Sequence, residues 1–184
     1  LEGGHGDSVN SVLCYMDLDR FKAVNDTCGH LAGDNMLREV AKLIRDQVRD
    51  SDFVARLGGD EFGMLLIRCP LDKARQIADD VCNAIRDYRF VWQDRIFTIG
   101  ISIGLVEVSR ESGTLKDVLS AADSACYVAK QQGRGRVHVY SARDEVSARQ
   151  RGDIHWPRQL QVSLRENRFE LHAQPVISTA GRVT

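Results

Sequence analysis

Two runs of β-forming character, Phe53-Val54-Ala55-Arg56-Leu57 and Phe62-Gly63-Met64-Leu65-Leu66-Ile67, are separated by only Gly58-Gly59-Asp60-Glu61. Glycine accepts the positive φ that tight hairpin turns need, so the spacing predicts two antiparallel strands joined at Gly58-Gly59. That hairpin restricts the chain to folds containing a sheet and places two acidic side chains at its tip. Glycine also allows a backbone to approach a phosphate closely. Asp60 and Glu61 are therefore candidate ligands for a divalent cation, although the pentapeptide alone suits a solvated hairpin equally well.

A second acidic cluster shifts that balance. The apolar run Ser11-Val12-Leu13-Cys14-Tyr15-Met16 ends in Asp17-Leu18-Asp19 and continues as Arg20-Phe21-Lys22-Ala23-Val24-Asn25-Asp26. Buried strands that deliver carboxylates at their C-terminal ends are how α/β sheets commonly build active sites. Magnesium takes oxygen ligands and is held by one or two carboxylates together with substrate phosphates. Asp17 at a strand end and Asp60 at a hairpin of the same sheet would supply that pair, and Lys22 would offset phosphate charge.

The run from Asp17 to Asp26, then Gly29-His30, Gly33-Asp34 and Arg56-Leu57-Gly58-Gly59-Asp60-Glu61-Phe62, resembles the GGDEF family of diguanylate cyclases. Ala121-Ala122-Asp123, Tyr127, Ala129-Lys130 and Gly133-Arg134-Gly135-Arg136-Val137 continue the resemblance, which spans roughly residues 11–140 with each segment in order. It implies an α/β fold of nucleotidyl-cyclase, palm-like type, with a central mixed, mostly antiparallel sheet flanked by helices. It also implies Mg²⁺ or Mn²⁺ held by the carboxylates of Asp17 and Asp60 and the carbonyl of Leu18. Glu61 would bind a second metal or help deprotonate the attacking 3′-hydroxyl. Asn25 and Asp34 would read the guanine edge, while Lys22, Lys130 and Arg134 would contact the triphosphate. Lys130 and Arg134 stand at i, i+4, the spacing of one helical face.

By the same resemblance, the 3′-oxygen of one GTP attacks the α-phosphorus of another and pyrophosphate leaves. Two such steps between facing domains give cyclic di-GMP, so a homodimer is implied. Arg49-Asp50-Ser51-Asp52 resembles the family's product-inhibition site, where cyclic di-GMP would be held by Arg49 and Asp52, with Arg56 joining them. Arginine's planar fork suits phosphate and the guanine Hoogsteen edge.

Composition narrows the class further. Lys and Arg total 25 against 26 Asp and Glu, a formal charge of −1, which argues against a nucleic-acid partner. No apolar stretch approaches the ~20 residues of a membrane span, so no membrane contact is expected from these residues. The five cysteines include no Cys-x-x-Cys pair and fall within apolar patterns, as reduced core thiols do. A cytoplasmic domain is expected, whether or not the longer protein is membrane-anchored.

Periodicity predicts a strand over 12–17, a short helix over 19–27 and an amphipathic helix over 33–48. Beyond the hairpin it predicts a helix over 72–87, extended segments over 88–92 and 96–108, a helix over 115–131 and a strand over 137–140. Residues 1–140 are expected to form the GGDEF domain, without the helix and Asp-x-Leu-Thr-Gly-Leu-x-Asn-Arg-like segment with which family members usually begin. Residues 141–184 read as a linker helix and an N-terminal stub, Phe169 to Ile177 included, resembling the opening of an EAL phosphodiesterase domain. Two further readings remain open: a GTP-binding regulatory module controlling an attached EAL phosphodiesterase, and a scaffold binding cyclic di-GMP through Arg49 and Asp52.

Overall fold

The computed structural model of the chain describes residues 10–141. The expected EAL-like segment therefore lies outside the described residues. A five-stranded sheet in the order β2-β3-β1-β6-β7 forms the centre. Its strands are β1 (Ser11–Asp19), β2 (Phe53–Gly58), β3 (Glu61–Leu66), β6 (Gly100–Val108) and β7 (Val137–Val139). The pairs β1–β3, β1–β6 and β2–β3 are antiparallel, and β6–β7 alone is parallel. The mixed, mostly antiparallel sheet is thus as expected.

Because successive strand residues face opposite ways, β1 serves two layers. Val12, Cys14, Met16 and Leu18 enter the main core with Phe62, Met64 and Leu66 of β3 and Ile101, Ile103 and Leu105 of β6. That face is covered by α1 (Phe21–Cys28), α2 (His30–Arg45) and α3 (Leu71–Asp87). On the other face, Leu13 and Tyr15 pack with Val106 against α4 (Leu115–Gln131) through Val118, Ala121 and Ala122. Gly104 permits this second layer to close, since a Cβ there would sit 2.2 Å from the Ala122 carbonyl oxygen and from the Cys126 amide nitrogen.

Several boundaries differ from the periodicity. β1 runs on to Asp19, so Asp17 lies two residues inside the strand rather than at its end. α2 starts at His30, directly after Gly29, whose φ of 80° ends α1. Gly33 and Asp34 look like a helix start but lie within α2, because the α1–α2 contact needs a residue without a side chain there: a Cβ on Gly33 would overlap Asn25 Oδ1 at 2.0 Å. The extended region 96–108 is two strands. β5 (Arg95–Phe97) pairs with β4 (Phe90–Trp92) in a separate two-stranded sheet, whereas β6 joins the main one. All five cysteines are free, and all but the half-buried Cys28 are buried.

Candidate active site

Strand β1 and the β2–β3 hairpin bring the acidic residues together. Asp17 is paired directly opposite Glu61 in the β1–β3 ladder. The Leu18 amide donates to the Asp60 carbonyl at 3.2 Å, tying the hairpin turn to the strand beside Asp17. Of the two predicted turn glycines, Gly58 ends β2 and only Gly59, with φ 51°, takes the left-handed conformation. The second turn position is Asp60 itself, and a register shift between Arg56 and Gly58 twists the strand into the turn. Arg56 Nε donates to the Gly59 carbonyl at 2.9 Å and braces the tip.

Lys130, in the last turn of α4, meets Asp17 Oδ2 at 2.6 Å. Burial raises the Asp17 carboxyl above the ordinary aspartate range; the Lys130 hydrogen bond and charge oppose the shift, and the charges of Asp60 and Glu61 add to it. Burial alone would lower the Lys130 ammonium, but the Asp17 hydrogen bond and charge outweigh it and raise it. Both shifts belong to one partly buried corner, where burial leads for Asp17 and the Asp17 contact outweighs burial for Lys130. Carboxylate oxygens are the donors that hard divalent cations take. Among the described residues, no group of three or more His, Cys, Asp or Glu side chains forms a ready-made metal cage.

The predicted nucleotide residues occupy α1, α2 and the end of α4. Lys22 is exposed in the first turn of α1, a helix whose N-cap position, Arg20, makes no side-chain cap. Uncapped amides there suit an anion. Asn25 Oδ1 is buried with no hydrogen-bond partner and rests over Gly33. An orphaned buried acceptor of this kind costs stability until a donor arrives. Asp34, exposed on α2, borders a cavity of 440 Å³ between α2 and β2, with Leu37, Arg38, Arg45, Arg56 and Phe62 among its walls.

Arg134 is not on the helical face of Lys130. α4 ends at Gln131, and its C-terminus closes with amides from Gly133 to the Lys130 carbonyl and from Arg134 to the Ala129 carbonyl. This is the paired arrangement of a Schellman cap, so Arg134 sits past the helix with φ 61°.

Arg49 and Asp52 lie at the start of β2, the end opposite Asp60. Asp52 is buried, and its carboxylate accepts from the Arg49 amide at 3.1 Å and the Ile67 amide at 3.0 Å. Its carbonyl accepts from Arg45 at 2.7 Å. Arg56 stands four residues along the strand from Asp52, roughly 13 Å away at the usual rise, on the hairpin turn rather than beside Arg49. The expected trio thus divides into a pair and a separate brace.

Three further residues were not singled out from the sequence. Tyr15 hydrogen-bonds Glu61; burial, then that bond and the Glu61 charge, push its phenol up. Asp19 is buried and gripped by β6 and the loop after α4. Arg45 anchors the turn that carries Asp52. The period of two along β1 was the available signal for Tyr15 and Asp19, since both share a face with Asp17.

Known proteins resemble this chain over most of its length. The family model "Diguanylate cyclase, GGDEF domain" matches residues 3–136. A probable diguanylate cyclase, DgcE of Escherichia coli K12, is 43% identical over 90% of this chain and 15% of its own length. The cyclic di-GMP phosphodiesterase PdeB of Shewanella oneidensis MR-1 is 31% identical over 89% of this chain and 19% of its own. The chain thus spans under a fifth of either relative. The crystallised GGDEF domain of TpbB (YfiN) from Pseudomonas aeruginosa PAO1 superposes with a TM-score of 0.70 at 36% identity, covering 76% of this chain and 82% of that one.

Proposed function

The chain belongs to the GGDEF family of diguanylate cyclases, and from that membership we propose that it condenses two GTP molecules into cyclic di-GMP and pyrophosphate. The observation that carries this reading is the convergence of Asp17, Asp60, Glu61 and Lys130 on one corner of the sheet. Asp17 and Asp60, with the Leu18 carbonyl, would hold Mg²⁺ or Mn²⁺. When bound, the cation lowers the pKa of the attacking hydroxyl and stabilises charge on the phosphate oxygens.

The chain's own groups do the rest. The Asn25 Oδ1 lacks a donor, and guanine offers donors on its Watson–Crick edge; the Asp34 carboxylate accepts a second. The uncapped amides of α1 and Lys22 take the phosphates from one side. Lys130 would approach the phosphates from the last turn of α4, and Arg134 from the loop after it. Glu61, which hydrogen-bonds Tyr15, would accept the proton of the 3′-hydroxyl or complete cation binding. One such site holds one GTP, so two copies facing each other are required. Arg49, with Asp52 shaping its turn, would bind product and restrain the hairpin from its far end.

A second reading is favoured by the similarity to the Shewanella phosphodiesterase, which extends over 89% of the chain. In that reading the domain binds GTP and regulates an attached phosphodiesterase. Incubating the protein with GTP and Mg²⁺ separates the two, with cyclic di-GMP as the product of the first. Asp60→Ala should lower its formation by at least ~10²-fold while leaving the circular dichroism spectrum unchanged. Near-normal synthesis by the folded variant would refute the assignment of Asp60.

A further inference from the structure

Asp19 is a buried carboxylate to which the reaction above gives no role. It is 6% exposed. Its Oδ1 accepts from Ser102 Oγ at 2.9 Å, and its Oδ2 accepts from the Gly135 amide at 3.0 Å. Arg134 Nε stands 3.9 Å from Oδ1, and the Arg134 side chain is 58% exposed. Gly100 is paired opposite Asp19, and a Cβ at Gly100 would come within 2.9 Å of Oδ2. A site that excludes a methyl group, donates a hydroxyl and donates an amide is shaped around this one carboxylate.

The loop it grips has an unusual conformation. Gly133, Arg134 and Gly135 have φ values of 116°, 61° and 58°. Glycine tolerates this, but arginine does not prefer it, and an isolated loop would relax away from it. The Asp19 bond to Gly135 and the 3.9 Å pair to Arg134 hold both sides of that residue. The pair is long and the guanidinium mostly exposed, so Arg134 keeps donors for another anion. Asp17 and Asp19 share one face of β1 and meet Lys130 and the Arg134–Gly135 loop respectively.

We propose that Asp19 is a positioning residue that sets the Arg134 guanidinium at the phosphate end of the nucleotide site. The proposal rests on the reading of Arg134 as a phosphate ligand. The probes are 3′-deoxy-GTP, which has the triphosphate but no attacking hydroxyl, and guanosine, which has neither phosphate nor charge. Affinities for both are measured by calorimetry on wild type, Asp19→Asn, Arg134→Ala and the double variant. Asp19→Asn is expected to weaken 3′-deoxy-GTP about tenfold, the scale of one charge-assisted hydrogen bond, and guanosine less than twofold. In the Arg134→Ala background, Asp19→Asn should add less than a further twofold, because the two residues act as a unit.

Equal losses for both ligands, or full additivity in the double variant, would reduce Asp19 to a loop anchor and overturn the proposal. Unchanged 3′-deoxy-GTP affinity in Arg134→Ala would remove the premise, and the proposal with it, while leaving the rest of the proposed site standing. Ser102→Ala, which withdraws one donor and keeps the charge, decides the matter if Asp19→Asn does not fold. It should cost about threefold for 3′-deoxy-GTP and leave guanosine unchanged, and a loss shared by both ligands, or none, counts against the proposal.

Discussion

Asp17 carries opposing demands on a single side chain. Burial and the neighbouring Asp60 and Glu61 raise its carboxyl above the usual value of about 3.9. A carboxyl raised in the folded state favours folding at pH below its unfolded value, and that contribution is lost as pH rises through the folded one. At neutral pH with divalent cation chelated, the fold therefore bears the cost of the acidic corner. Asp60→Asn should raise the thermal midpoint by about 1–2 °C at pH 7 in chelator, and the gain should vanish near pH 3. A midpoint lowered at pH 7, or a gain independent of pH, would contradict the origin given for the shift. A different residue tests base recognition. Gly33→Ala places a methyl group on Asn25 Oδ1, so it should weaken GTP by about tenfold and ATP far less, read by calorimetric titration. Equal losses would show that Asn25 does not discriminate the base.

Elements differ in how openly the sequence announced them. The hairpin, α3 and α4 follow directly from apolar spacing and glycine punctuation, because their buried residues recur at the strand or helix period. The start of α2 was hidden: Gly33 weakens a helix locally, and only the approach of α1 explains its presence. Arg134 was misread for a related reason, since i, i+4 spacing has meaning only while the helix continues, and α4 ends at Gln131. Asp17, Asp60, Asn25 and Lys130 were singled out through resemblance, whereas Tyr15 and Asp19 were signalled only by sharing the face of Asp17 along β1. The turn before β2 shows the same limit. Asp52 was expected in a product site, and its two oxygens also accept from the amides of Arg49 and Ile67, which builds that turn. Asp52→Ala should thus cost about 1–3 kcal/mol in denaturant unfolding. Arg49→Ala should leave stability within ~0.5 kcal/mol while relieving inhibition in a rate assay against added cyclic di-GMP. Equal destabilisation by the two variants would remove that distinction. The α4–sheet contact is tested by Gly104→Ala, whose new methyl group meets backbone atoms at 2.2 Å. A loss of about 3 kcal/mol or more is expected from chemical denaturation, and a near-neutral effect would mean that α4 moves freely on the sheet.

For the molecule as a whole, the sheet order β2-β3-β1-β6-β7 was not readable from the chain, because periodicity identifies strands but not their neighbours. The order puts β1 at the centre, between β3 and β6. That position has a consequence during synthesis. Strand β1 leaves the ribosome before either of its sheet neighbours, β3 and β6. Its hairpin neighbour arrives only after α1 and α2, and the residues that complete its other side come later still, with Ser102 83 positions beyond Asp19. At translation rates of 5–20 residues per second, that interval is roughly 4 to 17 s. For this time the apolar stretch Val12 to Leu18 must remain shielded by early collapse with α1 and α2 or by a chaperone. The central placement that later insulates the acidic corner leaves β1 waiting for both neighbours during synthesis.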